Sequence, residues 1–304
     1  MAIQFKDRVA IVTGAGGGLG RQHALALAAR GARVVVNDLG GARDGTGGCA
    51  TAAESVAQEI RAAGGEAIGN GASVTDEAAV EAMVKQTIDA WGRVDILVNN
   101  AGNLRDKTFA KMRLADFRAV IDVHLMGAVN CTKAVWDVMR TQNYGRIVMT
   151  TSSSGLYGNF GQANYSAAKM ALVGLMQTLA LEGARYDIRV NCLAPTAATR
   201  MTEGIMPEPM LRLMEPGAAT PGLVYLVSDD APSRAILCAG AGSYARAYVT
   251  LTPGVFLGHG EGAAEQVAAR FDAISDREQD MVPKQAADQG SSEVAKALRN
   301  VAHA

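Results

Sequence analysis

A glycine-rich turn lies between the first apolar segment of the chain and its first amphipathic segment. The apolar segment runs from Val9 to Val12, and the turn reads Thr-Gly-Ala-Gly-Gly-Gly-Leu-Gly over residues 13–20. Glycine permits a tight strand-to-helix turn and lets backbone amides approach a pyrophosphate at the helix N-terminus. A purely steric connection would not need five glycines within seven residues. The turn therefore predicts a dinucleotide-binding unit. Its candidate cofactor contacts are Gly14, Gly16, Gly18, Leu19 and Gly20.

Short apolar runs alternate with helix-length, alanine-rich segments along the rest of the chain. The further apolar runs are Val34 to Val36, Ile96 to Val98, Ile147 to Met149 and Ile188 to Leu193. The expected helices lie near 19–30, 50–63, 76–91, 115–143 (in one or two pieces), 163–185 and 219–229. This rhythm is typical of parallel sheets that are covered on both faces. It predicts an α/β fold with a single Rossmann-type, doubly wound parallel sheet and helices on both faces.

Two later segments depart from this rhythm. Residues 201–216 contain three prolines and four methionines, Met201, Met206, Met210 and Met214. We interpret this segment as a substrate lid with an adaptable apolar surface, or else as a short helix packed on the core. Residues 1–255 are expected to form the catalytic domain. Residues 256–304 are expected to be a helical extension, with helices near 261–274 and 291–302 and no assigned chemistry.

Composition excludes several classes of function. The 304 residues include 29 basic and 30 acidic side chains, so no bulk field would attract nucleic acid or an anionic membrane. No run of about 18 apolar residues and no secretory leader pattern is present, which predicts a cytoplasmic protein. The four cysteines are Cys49, Cys131, Cys192 and Cys238. They are far apart and lack zinc-site spacing, so we expect buried, reduced thiols and no metal.

A carboxylate at the end of the second strand indicates which dinucleotide binds. Asp38 follows the glycine turn by about eighteen residues, where the adenosine ribose of a bound dinucleotide would lie. A carboxylate accepts hydrogen bonds from ribose hydroxyls and repels a 2′-phosphate, and Gly17 brings no basic side chain. NAD is therefore favoured over NADP, with Arg43 as the nearest contrary residue. The alternative is that Asp38 only forms a turn before Gly40.

Tyr165 and Lys169 form a candidate proton-transfer pair. They are four residues apart in Asn-Tyr-Ser-Ala-Ala-Lys, so a helix would place them on one face. A nearby cation favours the phenolate, and we expect Lys169 to lower the pKa of Tyr165 toward the working range. The alternative is an exposed tyrosine and lysine on an ordinary helix.

Several motifs together resemble the short-chain dehydrogenase/reductase family. They are the glycine turn, Asn-Asn-Ala-Gly at 99–102, a serine ahead of Tyr-x-x-x-Lys, and Asn191 shortly before Pro195. More narrowly, Val-Val-Asn-Asp-Leu-Gly-Gly, Arg-Asp-Lys, Val-His-Leu-Met-Gly and the sequence around Tyr165 resemble the dehydrogenase part of type-two peroxisomal multifunctional enzymes. Those enzymes act on (3R)-hydroxyacyl-CoA. The resemblance covers roughly residues 5–240, and it implies interconversion of 3-hydroxyacyl-CoA and 3-oxoacyl-CoA.

The resemblance also implies roles for individual residues. It makes Tyr165 the general acid/base and Lys169 the residue that assists it and holds the nicotinamide ribose. Ser152, which Ser153 and Ser154 follow, would bind the reacting oxygen. The implied cofactor contacts are Asn99, Ala101, Gly102, Ser73, Val74, Pro195 and Thr199, besides Tyr165 and Lys169.

Two positions depart from the family pattern. His124 stands where many members have an asparagine that organises a water beside the lysine. We expect its charge to vary near neutral pH and to affect the pH profile, unless it is only a packed neutral histidine. Pro195 is followed by Thr196, where glycine is more common, and this leaves the carboxamide contacts at Thr199 and Thr202 open.

The substrate and the subunit number are less constrained by the sequence. Arg105, Lys107, Lys111 and Arg113 form either a site for coenzyme A phosphates or a solvated face. The other enzymes considered are a hydroxysteroid dehydrogenase and a 3-oxoacyl-acyl-carrier-protein reductase, and the non-enzyme alternative is an NAD-binding protein without turnover. The long apolar helices near 115–143 and 163–185 indicate a homo-oligomer, either a dimer or a tetramer.

Overall fold

The computed structural model describes residues 2–42, 44–49, 51–197 and 213–301. Contacts divide the chain into two compact units, Met1–Arg246 and Ala247–Ala304. The division falls after Arg246, a few residues before the boundary at residue 255 that we expect from the sequence. Most of the expected lid, residues 201–212, lies outside the described residues, and so do Arg43, Thr199 and Thr202.

The described strands form one sheet with the chain reversal of a doubly wound fold. They are β1 (Val9–Thr13), β2 (Arg33–Asn37), β3 (Glu66–Asn70), β4 (Ile96–Asn99), β5 (Gly145–Thr150), β6 (Ile188–Pro195), β7 (Ile236–Gly240) and β8 (Ser243–Ala247). Their order is β3-β2-β1-β4-β5-β6-β7-β8, and β1 pairs in parallel with both β2 and β4. The direction of winding therefore reverses between β1 and β4, where such folds bind ligands.

Helices connect these strands. In the first unit they are α1 (Gly18–Ala28), α2 (Thr51–Ala62), α3 (Glu77–Trp91), α4 (Leu114–Ile121), α5 (Gly127–Gln142), α6 (Ser153–Tyr157), α7 (Ala163–Gly183) and α8 (Thr220–Leu226). A π-helical turn, Asp122–Met126, separates α4 from α5, so the expected long helix is two pieces. No helix among the described residues is long and apolar enough to span a membrane.

Both faces of the sheet are buried. Successive strand residues point to opposite faces, so a strand covered on both faces is apolar at every position. In β1 and β2, Val12 and Val36 belong to the core cluster formed with α1, α2 and α8. Their neighbours Ile11 and Val35 point the other way and are equally inaccessible to solvent. The predicted doubly wound α/β fold is confirmed.

Three strands were missed in the sequence because their own patterns are weak. β3 reads Glu-Ala-Ile-Gly-Asn, with a single large apolar side chain, and it forms by pairing in parallel with β2. β7 pairs with β6, and β8 follows it after Ala241 and Gly242, which both have positive φ. Two such residues are typical of a tight hairpin turn.

The cysteines match expectation only in part. All four are free, and Cys131 and Cys192 are buried. Cys49 is exposed and Cys238 is partly exposed, so the expectation that all four are buried is wrong for these two. Cys49 lies in the loop between β2 and α2, and Cys238 lies in β7 at a position that the helices cover only in part.

The second unit is mainly helical. It contains α9 (Ala263–Ala269), α10 (Phe271–Ile274) and α11 (Ala287–Val301). An isolated antiparallel bridge joins Leu251 to Met281, and the Thr252 hydroxyl donates a hydrogen bond to the Ile274 carbonyl at 2.7 Å.

Candidate active site

A cavity of about 520 Å³ lies at the carboxyl ends of the central strands. The sequence-predicted residues that line it are Gly14, Gly18, Leu19, Asp38, Ser73, Val74, Ala101, Gly102, His124, Ser152, Tyr165, Lys169 and Pro195. These residues come from eight separate segments, which the parallel sheet brings to one edge. Gly16, Gly20 and Asn99 are not among the residues that line this cavity, and their cofactor contacts stay predictions.

The glycine turn is shaped by close backbone packing. Gly14 has φ +63°, and a Cβ atom there would lie 2.8 Å from the Cα of Ala101. A Cβ on Gly20 would overlap the carbonyl oxygen of Gly14, and one on Gly16 would lie 2.8 Å from the Asp38 carboxyl carbon. Gly16 and Gly20 are therefore glycines because the turn packs tightly behind the cavity wall.

The start of α1 suits an anionic group. Gly17 is the N-cap of α1 and adds no side-chain cap, and a Cβ there would meet no atom within 4 Å. The first amide groups of a helix lack partners within the helix and carry partial positive charge. Since Gly17, Gly18 and Leu19 all line the cavity, this end of the cavity fits a pyrophosphate.

Asp38 both forms a turn and faces the cavity. Its carboxylate accepts hydrogen bonds from the Gly16 amide at 2.8 Å and from the Gly40 amide at 2.7 Å. The turn-forming role that the sequence left open is therefore present. The carboxylate also lines the cavity, and its two oxygens have lone pairs beyond these two bonds, so it fits ribose hydroxyls as well.

The segment after β4 supports the turn through Asn100. Its side-chain amide donates to the carbonyls of Thr13 and Gly14, at 3.0 and 3.1 Å. The preceding Asn99 is buried and donates to Thr132 at 3.0 Å, with its own amide oxygen buried and unpartnered. Of the two asparagines, Asn100 therefore contacts the glycine turn and lines the cavity.

Ser152 and Tyr165 lie close together at the carboxyl end of β5. Ser152 follows β5 and is the N-cap of α6, where its hydroxyl accepts a hydrogen bond from the Ser154 amide at 3.2 Å. Tyr165 lies in the first turn of α7, and its hydroxyl is hydrogen-bonded to the Ser152 side chain. Ser153 and Ser154 also line the cavity, but this bond selects Ser152.

Lys169 lies one helical turn beyond Tyr165, as predicted. Its side chain is 3% exposed, and its ammonium donates to the Thr150 carbonyl at 2.5 Å. The nitrogen is 5.5 Å from the centre of the Tyr165 ring. Burial lowers the pKa of Lys169 to about 7 because the charged form loses its hydration.

The pKa of Tyr165 moves in the direction opposite to that expected. Burial raises it, the Ser152 hydrogen bond opposes this, and the negative charge of Asp106 adds to the rise. The expectation that Lys169 sets a lowered pKa is therefore wrong for the protein without a ligand. Desolvation is the largest cause, and burial also weakens the charge of the neighbouring Lys169 by lowering its pKa.

His124 packs against Tyr165 as a neutral group. It sits in the π-helical turn, and its ring meets the Tyr165 ring edge-on, with centroids 5.1 Å apart. Its Nε2 lies 3.1 Å from the amide nitrogen of Asn103 and 2.8 Å from the carbonyl oxygen. A Cβ on Gly102 would overlap the imidazole ring, so glycine is required there.

Burial lowers the pKa of His124 well below its ordinary value, with a further contribution from the charge of Lys169. The expectation that the charge of His124 varies near neutral pH is therefore wrong. The buried, unpartnered Nδ1 lies in the cavity wall beside Gly102.

The remaining predicted residues lie around the cavity rim. Ser73 and Val74 line the end near Asp38, while Pro195, Thr196 and Ala197 line another part of the wall. Met214, the last methionine of the expected lid, also lines the cavity. Within the basic cluster, Arg105 and Arg113 pair with Asp116 at 3.0 and 3.7 Å, whereas Lys107 and Lys111 are exposed.

Comparison with known proteins places the chain in a family. The short chain dehydrogenase family model matches residues 8–209. The chain is 49% identical over 261 residues to peroxisomal multifunctional enzyme type 2 of Drosophila melanogaster, covering 86% of this chain and 42% of that one. It is 52% identical over 228 residues to peroxisomal hydratase-dehydrogenase-epimerase of Saccharomyces cerevisiae, covering 75% of this chain and 25% of that one.

A third relative matches almost end to end. The putative short-chain type dehydrogenase/reductase Rv0148 of Mycobacterium tuberculosis is 48% identical over 272 residues, covering 89% of this chain and 95% of that one. The chain thus spans less than half of the two multifunctional relatives but nearly all of the mycobacterial one.

Solved structures agree with the fold. Full-length peroxisomal multifunctional enzyme type 2 from Drosophila melanogaster matches with a TM-score of 0.81 and 36% identity, over 98% of this chain and 51% of that one. A 7 alpha-hydroxysteroid dehydrogenase complexed with NADH and 7-oxo glycochenodeoxycholic acid matches with a TM-score of 0.71 and 30% identity, over 79% of this chain and 95% of that one.

The chain belongs to the short-chain dehydrogenase/reductase family. It is an oxidoreductase of the nicotinamide-dependent kind, and its homologues include enzymes named peroxisomal multifunctional enzyme type 2. The predicted family and the prediction of an enzyme are confirmed.

Several supporting residues were missed in the sequence. Asn100 and Thr13 hold the glycine turn, Thr150 accepts from Lys169, and Asn164 accepts from the Tyr165 amide at 2.8 Å. Thr13 begins the glycine-rich turn, and Asn100 lies in the Asn-Asn-Ala-Gly motif. Membership of these motifs was therefore the sequence signal that could have identified both residues. The roles of Thr150 and Asn164 depend on contacts between distant elements, which no local pattern reports.

The Tyr165–Lys169 pair predicts how activity depends on pH. Oxidation of an alcohol needs a base, and below pH 7 both groups are protonated. Lys169 has a pKa of about 7 and exchanges protons with Tyr165, so the pair loses its first proton near pH 7 and can hold the remaining proton on the ammonium beside a phenolate. We expect kcat/KM for oxidation to rise about tenfold per pH unit below that value and to level off above it.

Variants assign this rise. Lys169→Met should remove the limb near pH 7 from the residual activity, whereas His124→Asn should retain it, since the pKa of His124 is already far lower. The measurement is kcat/KM across pH 5.5 to 9.5 for the three proteins. A limb that survives in Lys169→Met and disappears in His124→Asn would contradict the assignment.

Proposed function

We propose that the protein is an NAD-dependent oxidoreductase that interconverts a 3-hydroxyacyl-CoA and a 3-oxoacyl-CoA, with a fatty acyl or sterol side-chain thioester as substrate. The observation that carries the proposal is the shared cavity. Ser152, Tyr165 and Lys169 line the same cavity as the glycine turn and Asp38. A proton-transfer group, an oxygen-binding hydroxyl and a dinucleotide cradle therefore lie within reach of one another.

The residues fit NAD better than NADP. Asp38 presents a carboxylate where ribose hydroxyls would bind, and a negative charge disfavours a 2′-phosphate. Gly17 supplies no cation at the turn. A hydroxysteroid dehydrogenase structure that is 30% identical carries NADH, which is consistent with this choice. Bound NAD would supply hydride acceptance at the nicotinamide, and the protein supplies the rest.

The chain's own residues handle the proton. In the oxidative direction the substrate hydroxyl hydrogen-bonds to Ser152 and Tyr165, and the ionised phenol accepts the hydroxyl proton. With NAD bound, its nicotinamide would accept the C3 hydride as the C3 carbonyl forms, and the products would be 3-oxoacyl-CoA, NADH and a proton. The charge on Lys169, fixed by the Thr150 carbonyl, stabilises the phenolate. His124 holds the Tyr165 ring from the side.

Family resemblance supports the acyl-CoA substrate. The motifs around Asp38, His124 and Tyr165 are those shared with the dehydrogenase part of type-two multifunctional enzymes. Met214 gives the cavity an adaptable apolar wall. Lys107 and Lys111 are exposed, and Lys107 directly follows Asp106, which lines the cavity; we assign these two cations to coenzyme A phosphates.

A hydroxysteroid substrate is the second candidate, because a hydroxysteroid dehydrogenase is among the similar solved structures. Reduction of a 3-oxoacyl group on acyl carrier protein with NADPH is less favoured, because of Asp38. An NAD-binding protein without turnover is opposed by the intact Ser152, Tyr165 and Lys169 set.

We also propose an assembly for the protein and retain the expected compartment. Met170 and Leu181 are exposed apolar side chains on α7, which suits a homo-oligomer built on this helix. A cytoplasmic location stays a prediction, while two of the relatives are named peroxisomal. Neither nucleic acid nor a membrane is proposed as a partner.

Tyr165→Phe tests the chemical role. The variant keeps the aromatic ring but loses the hydroxyl that transfers the proton. Turnover should therefore fall by about two to four orders of magnitude, while the Kd of NADH stays nearly unchanged. Tyr157→Phe is the matched control: this tyrosine is 73% exposed in the neighbouring α6 and should keep its turnover. Retained turnover in Tyr165→Phe would refute the role of the phenol.

A substrate and cofactor panel tests the proposed reaction. Oxidation would be assayed with 3-hydroxyacyl-CoA thioesters of increasing length, a sterol side-chain thioester, free hydroxysteroids and an acyl-carrier-protein thioester, each with NAD and with NADP. We expect the highest kcat/KM for a CoA thioester with NAD. A preference for free steroids supports the second candidate, whereas NADH binding without turnover of any alcohol would overturn the proposed reaction.

A further inference from the structure

The loop between β2 and α2 folds over the end of the cavity that holds Asp38. We call residues 39–42 and 44–49 the strap. Gly41, Ala42 and Gly45 of the strap line the cavity beside Asp38. This end takes the adenosine half of a dinucleotide in a fold of this kind, because the ribose-binding acid marks it.

The strap holds its own shape through short hydrogen bonds. The Ala42 amide donates to the Thr46 carbonyl at 2.8 Å, and the Cys49 amide donates to the Leu39 carbonyl at 2.8 Å. The ends of the strap are therefore close together. It can act as one body over the cavity, as compact surface loops of this length do.

Arg105 fastens this body to the opposite wall. Its Nε donates to the Asp44 carbonyl of the strap at 2.9 Å, and its Nη1 pairs with Asp116 of α4 at 3.0 Å. Beside this contact, a Cβ on Gly45 would lie 2.9 Å from the Asn103 side-chain nitrogen, so the strap also packs closely on the segment that carries Arg105.

The same arginine is tied to the catalytic tyrosine through its backbone. The fully buried Asn164 side chain donates to the Arg105 carbonyl at 3.0 Å. The Asn164 side-chain oxygen accepts the Tyr165 amide at 2.8 Å. A chain of hydrogen bonds therefore runs from the strap over the adenosine end to the residue that transfers the proton.

We propose that Arg105 is a positioning residue that clasps the strap over the adenosine half of the bound dinucleotide. This inference rests on the proposed use of NAD. A planar guanidinium donates in two fixed directions, toward the strap carbonyl and toward Asp116, whereas an ammonium is a single point charge. Arg105 thus belongs to the cofactor-binding wall, and the exposed Lys107 and Lys111 are the cations left for an acyl-CoA.

The test compares Arg105→Ala, Arg105→Lys and Arg113→Ala. Arg113 pairs with the same Asp116 but is 77% exposed, and no bond from it to the strap appears among the described residues, so it is the matched control. Kd values would be measured by fluorescence titration with NADH and by calorimetry with ADP-ribose, which keeps the adenosine half and lacks the nicotinamide. Melting temperature and circular dichroism would report folding.

We expect Arg105→Ala to raise both Kd values about three- to tenfold, since one charge-assisted hydrogen bond is lost. Arg105→Lys should lie between Arg105→Ala and the parent protein, and Arg113→Ala should match the parent. At saturating NAD, kcat of Arg105→Ala should change less than KM for NAD. If Arg105→Ala does not fold, the expected rise in Arg105→Lys carries the test.

The outcomes separate the two proposals. A parent protein that binds neither NADH nor ADP-ribose refutes the proposed use of NAD, and the clasp with it. A parent that binds both, with folded Arg105 variants whose Kd values equal those of Arg113→Ala, refutes the clasp alone. A loss of kcat without a change in either Kd also refutes it, because the arginine would then act only on Tyr165.

Discussion

A close backbone approach between the turn after β1 and the segment after β4 fixes the geometry on which the rest depends. Gly14 packs against Ala101 so tightly that no side chain fits, and Asn100 donates to the carbonyls of Thr13 and Gly14. These two segments leave the sheet on either side of its reversal point. Held together there, they form the floor of the cavity, and the start of α1 opens onto it.

Above this floor, burial sets the chemistry. Lys169, His124 and Ser152 are almost inaccessible to solvent, so desolvation lowers the pKa values of the lysine and the histidine and raises that of Tyr165. The protein without a ligand thus holds Tyr165 protonated and His124 neutral. A low dielectric constant strengthens the electrostatic interactions of any charge in the site. The phenolate of Tyr165 therefore depends on the charge of Lys169 and the hydrogen bond from Ser152.

Much of this was predictable from the sequence, because local patterns carry it. The glycine turn, Asp38 and the Tyr165–Lys169 spacing specify a strand end, a loop and a helix face without reference to distant residues. What local patterns do not contain was missed: β3 forms by pairing, Asn99 turns inward while Asn100 reaches the turn, and the pKa of Tyr165 follows burial. The contact from Arg105 to the strap joins residues 61 positions apart.

A crystal structure of the protein with NADH tests the central claim most directly. The account predicts that the pyrophosphate lies at the first amides of α1, that the adenosine ribose hydroxyls bind Asp38, and that the nicotinamide lies beside Tyr165 and Lys169. A dinucleotide bound elsewhere, or one whose nicotinamide lies away from the Tyr165 hydroxyl, would contradict it.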